Sequence, residues 1–452
     1  MLINFSVKNF LSFKEKQTLS LNACKGTRHI NHVISSGKEK DYRLLRGAVC
    51  FGANASGKTN LIKSISLSRN LILNGVKGGF IFENSFFKMN KDDFSTVSEF
   101  EYEFLIDNKL VVYSFSVDLN KKLIHSEKMF YGKNKKNIFC RTLVGGFYSI
   151  ESEYYSPNKK ESVIFDIYCS PFKDKEKFNK FSKVFILNEI SERCSDESEG
   201  FSILKKVFNS FKRIITIFPS TRITSIPSII EQENTVKALK KFLRDFGCDI
   251  TNIENKKINY DTILEQIPKS EVEEFKTMIE ESLADTKEIV LRGKKGMYRL
   301  SKNNDGTIKA QKISLKHGEG SFEFDYEEES DGVRRLFDFS PLLIGEDKEL
   351  LVLIDEIDQS LHTQVVHKLI GSLFNHEIKK KTQYIITSHD INLLDLNLLR
   401  QDEIYFIDKD ENSKSSSIKG LREYNVRFDK DIIKEYLNNK FGATPKLKEK
   451  KD

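Results

Sequence analysis

Gly52-Ala53-Asn54-Ala55-Ser56-Gly57-Lys58-Thr59 decides how this chain is read, because it fits G-x-x-x-x-G-K-[ST] without a mismatch. The apolar run Ala48-Val49-Cys50-Phe51 precedes it. Leu61, Ile62, Ile65, Leu67, Leu71 and Ile72 follow at roughly helical spacing until Asn74-Gly75 supplies a stop. Strand, glycine loop and helix in that order predict a phosphate cradle, in which consecutive backbone N–H groups and the helix N-terminus point inward at phosphate oxygens. Lys58 would neutralise β- and γ-phosphates, and Thr59 would give its hydroxyl to magnesium. The stretch therefore implies ATP and magnesium, with Gly52, Asn54, Ala55, Ser56, Gly57, Lys58, Thr59 and the adjoining Asn60 as candidate binding residues.

Two further apolar runs end in chemistry. Leu350-Leu351-Val352-Leu353-Ile354 delivers Asp355 and Glu356. Beside a phosphate cradle, Asp355 would orient the magnesium shell and Glu356 would polarise the attacking water as general base. Tyr384-Ile385-Ile386-Thr387-Ser388 delivers His389 at its carboxyl end, the edge where ligands sit in open α/β sheets, so His389 is a candidate contact for the γ-phosphate. A strand ending in Asp-Glu, or a lone histidine, says little alone; the order of the three elements gives them weight.

Around these motifs the patterning changes in blocks. From Glu99 to about Tyr155 it is period-2, as in Phe100-Glu101-Tyr102-Glu103-Phe104, which predicts an antiparallel β layer. Residues 174–286 read as a mostly helical insertion without a sustained heptad repeat, and strand signals return from Ile289 to Tyr326. Gly332 to Asp408 alternates helix and strand as α/β units do. The expected organisation is an N-terminal part over 1–173, the insertion over 174–286 and a C-terminal part over 287–452, with a frayed Lys-rich tail beyond Thr444.

Composition excludes several classes. A hydrophobic share of 39% with 31% charged residues and seven prolines describes a packed chain and not a disordered or fibrous one. No apolar run is long enough to span a bilayer, and Met1 to Lys8 alternates like a strand, so a cytoplasmic protein without membrane contact is expected. Six scattered cysteines show no C-x-x-C spacing, which leaves ordinary thiols. The net charge of +7 comes from 73 basic and 66 acidic residues mixed along the chain, the pattern of a solvated surface. His29 and His32 read as loop residues, Asn412 to Ser417 as a mobile hairpin loop, and Lys133-Asn134-Lys135-Lys136 as a solvated turn with weak aromatic interleaving.

Taken with Ser330-Asp331-Gly332-Val333-Arg334-Arg335, and with Asp358 two residues past Glu356, the motif order resembles the head domain of ABC-type ATPases of the SMC, RecF and OLD-like branch. Within it the chain is similar to compact AAA-type ATP-binding proteins of prokaryotic anti-phage defence, of the abortive-infection or PARIS-like kind. The resemblance is carried by Asn9-Phe10-Leu11-Ser12-Phe13-Lys14, Gly52 to Asn60, Glu329 to Phe337, Ile354 to Leu361, Thr387 to Leu394 and Tyr436 to Ala443. It implies an α/β fold, an ABC-type P-loop head with an antiparallel β layer and a helical insertion. It also implies a homodimer or higher homo-oligomer in which Ser330 and Gly332 of one subunit close over ATP held by Lys58 of the other, with Asp358 across the same interface. The activity implied is slow ATP hydrolysis serving as a switch on a separate effector such as a nuclease. A RecF-like ATPase clamping DNA is the alternative, and an OLD-type nuclease is least expected because the stretch after His389 is short for such a domain. One departure stands out: the family's magnesium-binding glutamine loop has no counterpart, since no Gln lies between Gln17 and Gln232, and Asn84-Ser85-Phe86-Phe87-Lys88 takes its place.

Overall fold

Alternation of apolar and polar residues builds the first layer. Along Val97–Ile106, Phe100, Tyr102 and Phe104 are buried while Glu99, Glu101 and Glu103 are not. This strand and its successors Lys109–Asp118, Leu123–Tyr131, Lys136–Val144 and Phe147–Glu151 pair antiparallel in sequence order. Leu2–Lys8 and Gln17–Ser20 extend them to seven strands. A computed structural model describes residues 1–36, 42–76, 83–89, 95–155, 160–195, 198–221, 233–286, 288–293, 296–303, 305–319, 322–344, 349–375, 381–424, 426–427 and 431–444. The expected frayed tail beyond Thr444 lies outside these residues.

The second layer is a six-stranded sheet in the order Ile214–Ile217, Leu351–Ile354, Gln383–Thr387, Gly47–Phe51, Ile404–Lys409, Ser416–Gly420. The first five run parallel and the last closes antiparallel. Every residue of Gly47–Phe51, Leu351–Ile354 and Gln383–Thr387 is buried, as continuous apolar strands covered on both faces must be. Register decides the site: Ile354 pairs with Ile386 and Thr387 with Cys50, so the residues after three strands reach one carboxyl edge together.

The helix after the glycine loop spans Lys58–Asn74 and buries Leu61, Ile62, Ile65, Leu67, Leu71 and Ile72. Its face carries two buried serines as well; Ser68 Oγ lies 2.5 Å from the Tyr102 hydroxyl of the antiparallel layer. Gly75, at φ 75°, ends the helix by donating its N–H to Leu71 O. Tyr102 and Phe104 meet the Phe211 ring edge-on, and Phe115 meets Phe185 likewise, which makes the core between the layers largely aromatic.

The chain condenses into two units: Met1–Pro219 with Asp347–Ile357 and Phe374–Asp452, and Ser220–Glu346 with Asp358–Leu373. This division differs from the three segments expected. Residues 174–219 belong to the first unit, and they supply a strand, Ile214–Ile217, to its central sheet. Beyond Ser220 the expected insertion is helical only in part. Helices Glu233–Asp245 and Val272–Asp285 share the second unit with an antiparallel sheet in the order Ile250–Ile258, Ile308–His317, Gly296–Lys302, Glu288–Gly293. In the first unit Ser416, expected on a mobile loop, is instead a buried strand residue.

Candidate functional site

The central sheet brings three sequence-predicted groups of the first unit together. Thr59, at the start of its helix, donates to Asp355 Oδ1 at 3.3 Å, although the two lie far apart in sequence. Thr387, the last residue of the neighbouring strand, donates to the same oxygen at 2.7 Å and accepts from the Glu356 backbone N–H at 2.9 Å. One threonine hydroxyl thus orients both acids. Asp355 is anchored through its own N–H to Ile217 O, which explains why the unexpected edge strand matters. Glu356 sits at φ 50°, a left-handed conformation that non-glycine residues rarely adopt, and such strain persists only where the surroundings over-determine it.

Lys58 is buried, and its ammonium donates to Gly52 O at 2.7 Å and Ala53 O at 3.0 Å, the residues that open the loop. Its charge is felt by Cys50, whose thiol is pushed up to about 12 by burial against the opposing pull of Lys58. Ala55 has φ 63° and Gly57 φ 117°, so the loop turns through left-handed backbone twice before the helix begins. The Ser56 hydroxyl is buried without a hydrogen-bond partner among the described residues. Asn54 is exposed at the loop's crest, and Asn60 directs its amide to Ser12 Oγ at 2.8 Å. His389 is exposed beyond Ser388, whose N–H donates to Cys50 O at 3.1 Å.

These residues suit a magnesium nucleotide. Asp355 is 2% exposed, yet among the described residues no basic side chain pairs with it; two hydroxyls are its side-chain partners. A buried carboxylate without a cation is costly. Carboxylate, threonine hydroxyl and water are the hard oxygen donors that magnesium takes. The orphaned Ser56 hydroxyl and the inward-turned loop add donors for phosphate.

In the second unit, Ser330 Oγ accepts from Val333 N at 3.3 Å, capping the helix Asp331–Ile344. A Cβ on Gly332 would come within 2.8 Å of Ser360 O, so only glycine fits this approach. Asp358, whose carbonyl accepts from Leu361 N at 3.3 Å, opens that same turn. Ser330 to Gly332 and Asp358 to Ser360 therefore form one local patch.

Three side chains gained meaning from the structure. Thr387, Ser12 and Ser416 touch the cradle or its acids; Ser12 and Thr387 lie in stretches that carry the family resemblance without being singled out there, and Ser416 carries no sequence signal. His32 is not a loop residue: it is fully buried with Nδ1 3.0 Å from Glu403 Oε1 and with Nε2 3.2 Å from Asn375 Oδ1. The lysine turn is better supplied with aromatics than expected, since Lys136 lies 5.0 Å over the Tyr154 ring; outside the turn, Lys109 of the strand Lys109–Asp118 lies 5.1 Å over Tyr131.

Residues 221–395 match a family model described as AAA domain, putative AbiEii toxin, Type IV TA system. The matched stretch begins after the cradle and includes Ser330, Asp355, Glu356 and His389. Over that stretch the chain is similar to the AAA proteins that this model describes. No curated protein matches the sequence. Among solved structures, an SMC head bound to the C-winged helix domain of ScpA is similar at TM-score 0.44 and 14% identity, covering 94% of this chain and 99% of that one. The SMC head domain from Thermotoga maritima is similar at TM-score 0.34 and 13% identity, over 93% and 98%. An Smc head domain with an extended coiled coil from Pyrococcus furiosus, bound to the C-terminal domain of ScpA, is similar at 0.38 and 15%, over 97% and 99%. Among the described residues no helix is long and apolar enough to cross a membrane.

Proposed function

We propose that this ATPase head binds ATP with magnesium and hydrolyses it slowly as a cytoplasmic switch in anti-phage defence, controlling a separate effector such as a nuclease. The observation that supports this best is the Thr59, Asp355 and Thr387 constellation at the end of the central sheet, with Lys58 in the loop beside it. Thr59 and Asp355 would hold magnesium, which supplies charge neutralisation on the phosphates. Lys58 and the N–H groups of Gly52 to Thr59, with Ser56 Oγ, bind the phosphates. Glu356, held by Thr387, takes the proton of the attacking water as its general base, and His389 contacts the γ-phosphate from the neighbouring strand end.

The second unit completes the reading. Ser330, Gly332 and Asp358 form a patch that fits the role of closing over ATP on a second copy of the chain, so that ATP favours a homodimer. A ligand in such a seam differs in affinity between open and closed states, which is what a switch requires. The family description over 221–395 supports the defence setting. The alternative, a RecF-like DNA-binding ATPase, draws on the lysines stacked over Tyr131 and Tyr154.

The test is a Glu356→Gln form purified with ATP, which should retain nucleotide, lose hydrolysis and run as a dimer by light scattering. Recovery of a protein effector with it supports the switch; recovery of nucleic acid alone favours the alternative. Hydrolysis at the parent rate would remove Glu356 as the base, and unchanged nucleotide binding by Lys58→Ala would remove the cradle itself.

A further inference from the structure

The cradle is supported from behind by side chains remote in sequence. Ser416, on the edge strand Ser416–Gly420, is 1% exposed and donates its hydroxyl to Ser56 O at 2.5 Å. Its backbone N–H donates to Ser12 O at 2.7 Å, and Ser12 Oγ in turn accepts from the Asn60 amide at 2.8 Å. A Cβ on Gly57 would meet Ser416 Oγ at 2.5 Å and Ser12 Oγ at 2.8 Å. The two hydroxyls therefore occupy the space a side chain would take at the last glycine of the loop, where the backbone turns at φ 117° into the helix.

Ser12 is itself held in place. In its loop, Asn9 and Leu11 adopt φ 51° and φ 50°, left-handed values that a leucine rarely takes. The Asn9 amide donates to Ser95 O at 2.7 Å and Val97 O at 3.0 Å, and its Oδ1 accepts from Phe87 N at 3.2 Å. Leu11 N donates to Ser85 O at 2.6 Å. The strained loop is thus over-determined by the antiparallel layer and by residues 85–87, within the stretch that stands in place of the missing glutamine loop.

We propose that Ser416 and Ser12 are positioning residues for nucleotide binding: together they fix the Ser56–Gly57 peptide so that the N–H groups beyond it face the phosphates. Ser416 holds the carbonyl of this peptide, and Ser12 fixes the first turn of the helix through Asn60. In a planar trans peptide the N–H points opposite to the carbonyl, so holding Ser56 O on one side turns the Gly57 N–H to the other. Preorganised donors bind phosphate without a reorganisation cost, so loosening the peptide lowers affinity even though neither serine touches the ligand. The proposal rests on the nucleotide-binding reading above.

The test titrates the full-length chain with MgADP, as parent, Ser416→Ala, Ser416→Thr, Ser12→Ala and Lys58→Ala, and follows thermal melting of each without nucleotide. Ser416→Ala should raise Kd about fivefold, the effect of losing one hydrogen bond, with Ser416→Thr returning toward the parent and Ser12→Ala raising Kd about two- to threefold. Melting should shift by only a few degrees. Lower melting with unchanged MgADP affinity in both alanine variants would reduce the serines to structural supports and overturn the proposal. If Ser416→Ala does not fold, Ser12→Ala decides alone. Lost binding in Lys58→Ala with parental binding in the serine variants sinks the brace and leaves the nucleotide reading standing; a parent that binds no MgADP sinks both.

Discussion

Glu127 and Asp355, two of the buried carboxylates of the first unit, have been treated in opposite ways. Glu127, 0% exposed, accepts from Ile186 N at 2.8 Å, Leu187 N at 2.9 Å, the Tyr113 hydroxyl at 3.0 Å and Arg141 Nη1 at 3.4 Å. Arg141 also donates from Nη1 to Val184 O and from Nη2 to Phe181 O, and stacks 3.8 Å over the Tyr148 ring. Asp355, 2% exposed, has two threonine hydroxyls and, among the described residues, no basic partner. Burial of charge is tolerated where hydrogen bonds and a cation answer it. Glu127 is answered from within the chain and docks the Ile186–Arg193 helix onto the antiparallel sheet; Asp355 has no such cation among the described residues, which fits the magnesium role proposed for it.

The comparison breaks first at Arg141. Arg141→Met leaves Glu127 buried without its cation, and unfolding by urea should show a loss of about 3–5 kcal/mol. The effect has a pH signature. Burial, the largest influence, already holds the Glu127 carboxyl above its usual range, against the opposing pull of Arg141, the Leu187 and Ile186 N–H groups and the Tyr113 hydroxyl. Without Arg141 it rises further, so the folded state binds the proton more tightly than the unfolded state. Stability is then kept below the unfolded carboxyl pKa and lost as pH rises through the folded one. The gap between variant and parent should widen from pH 5 to pH 8; a gap constant with pH would show that Arg141 acts through packing alone. Asp355→Asn should behave in the opposite manner, with melting unchanged or raised and magnesium-dependent ATP hydrolysis reduced about a hundredfold or more. A large loss of stability in Asp355→Asn would put it in the same class as Glu127.

The difference between these carboxylates could not be read from the sequence, although much else could. The glycine loop, the apolar runs before Asp355 and Ser388, and the alternation after Glu99 are local patterns, so the cradle, the parallel strands and the antiparallel layer were legible. The strand Ile214–Ile217 was not, because three isoleucines and a threonine inside a helical stretch carry no periodicity that separates strand from helix. His32 and Glu403 stand 371 residues apart, and Ser416 and Ser56 stand 360 apart, so neither pairing leaves a local trace. Ser330 capping a helix and Ser330 facing a phosphate look identical in sequence, since both uses call for a hydroxyl before a helical turn.

The finest distinction lies at Thr387. If Asp355 is kept ready for an external cation, the hydroxyl that holds its Oδ1 and the Glu356 N–H should matter to turnover more than to folding. Thr387→Val removes both hydrogen bonds at nearly constant volume, each worth about 1 kcal/mol. The expected result is a fall of about tenfold in kcat with a change of about twofold or less in the KM for ATP, since its hydroxyl is engaged with Asp355 and the Glu356 N–H. In an Asp355→Asn background the same change should cost little more, because the oxygen it orients no longer carries the charge, and residues acting through one another are not additive. Additive losses in that double variant would mean that Thr387 serves the strand end and not the acids.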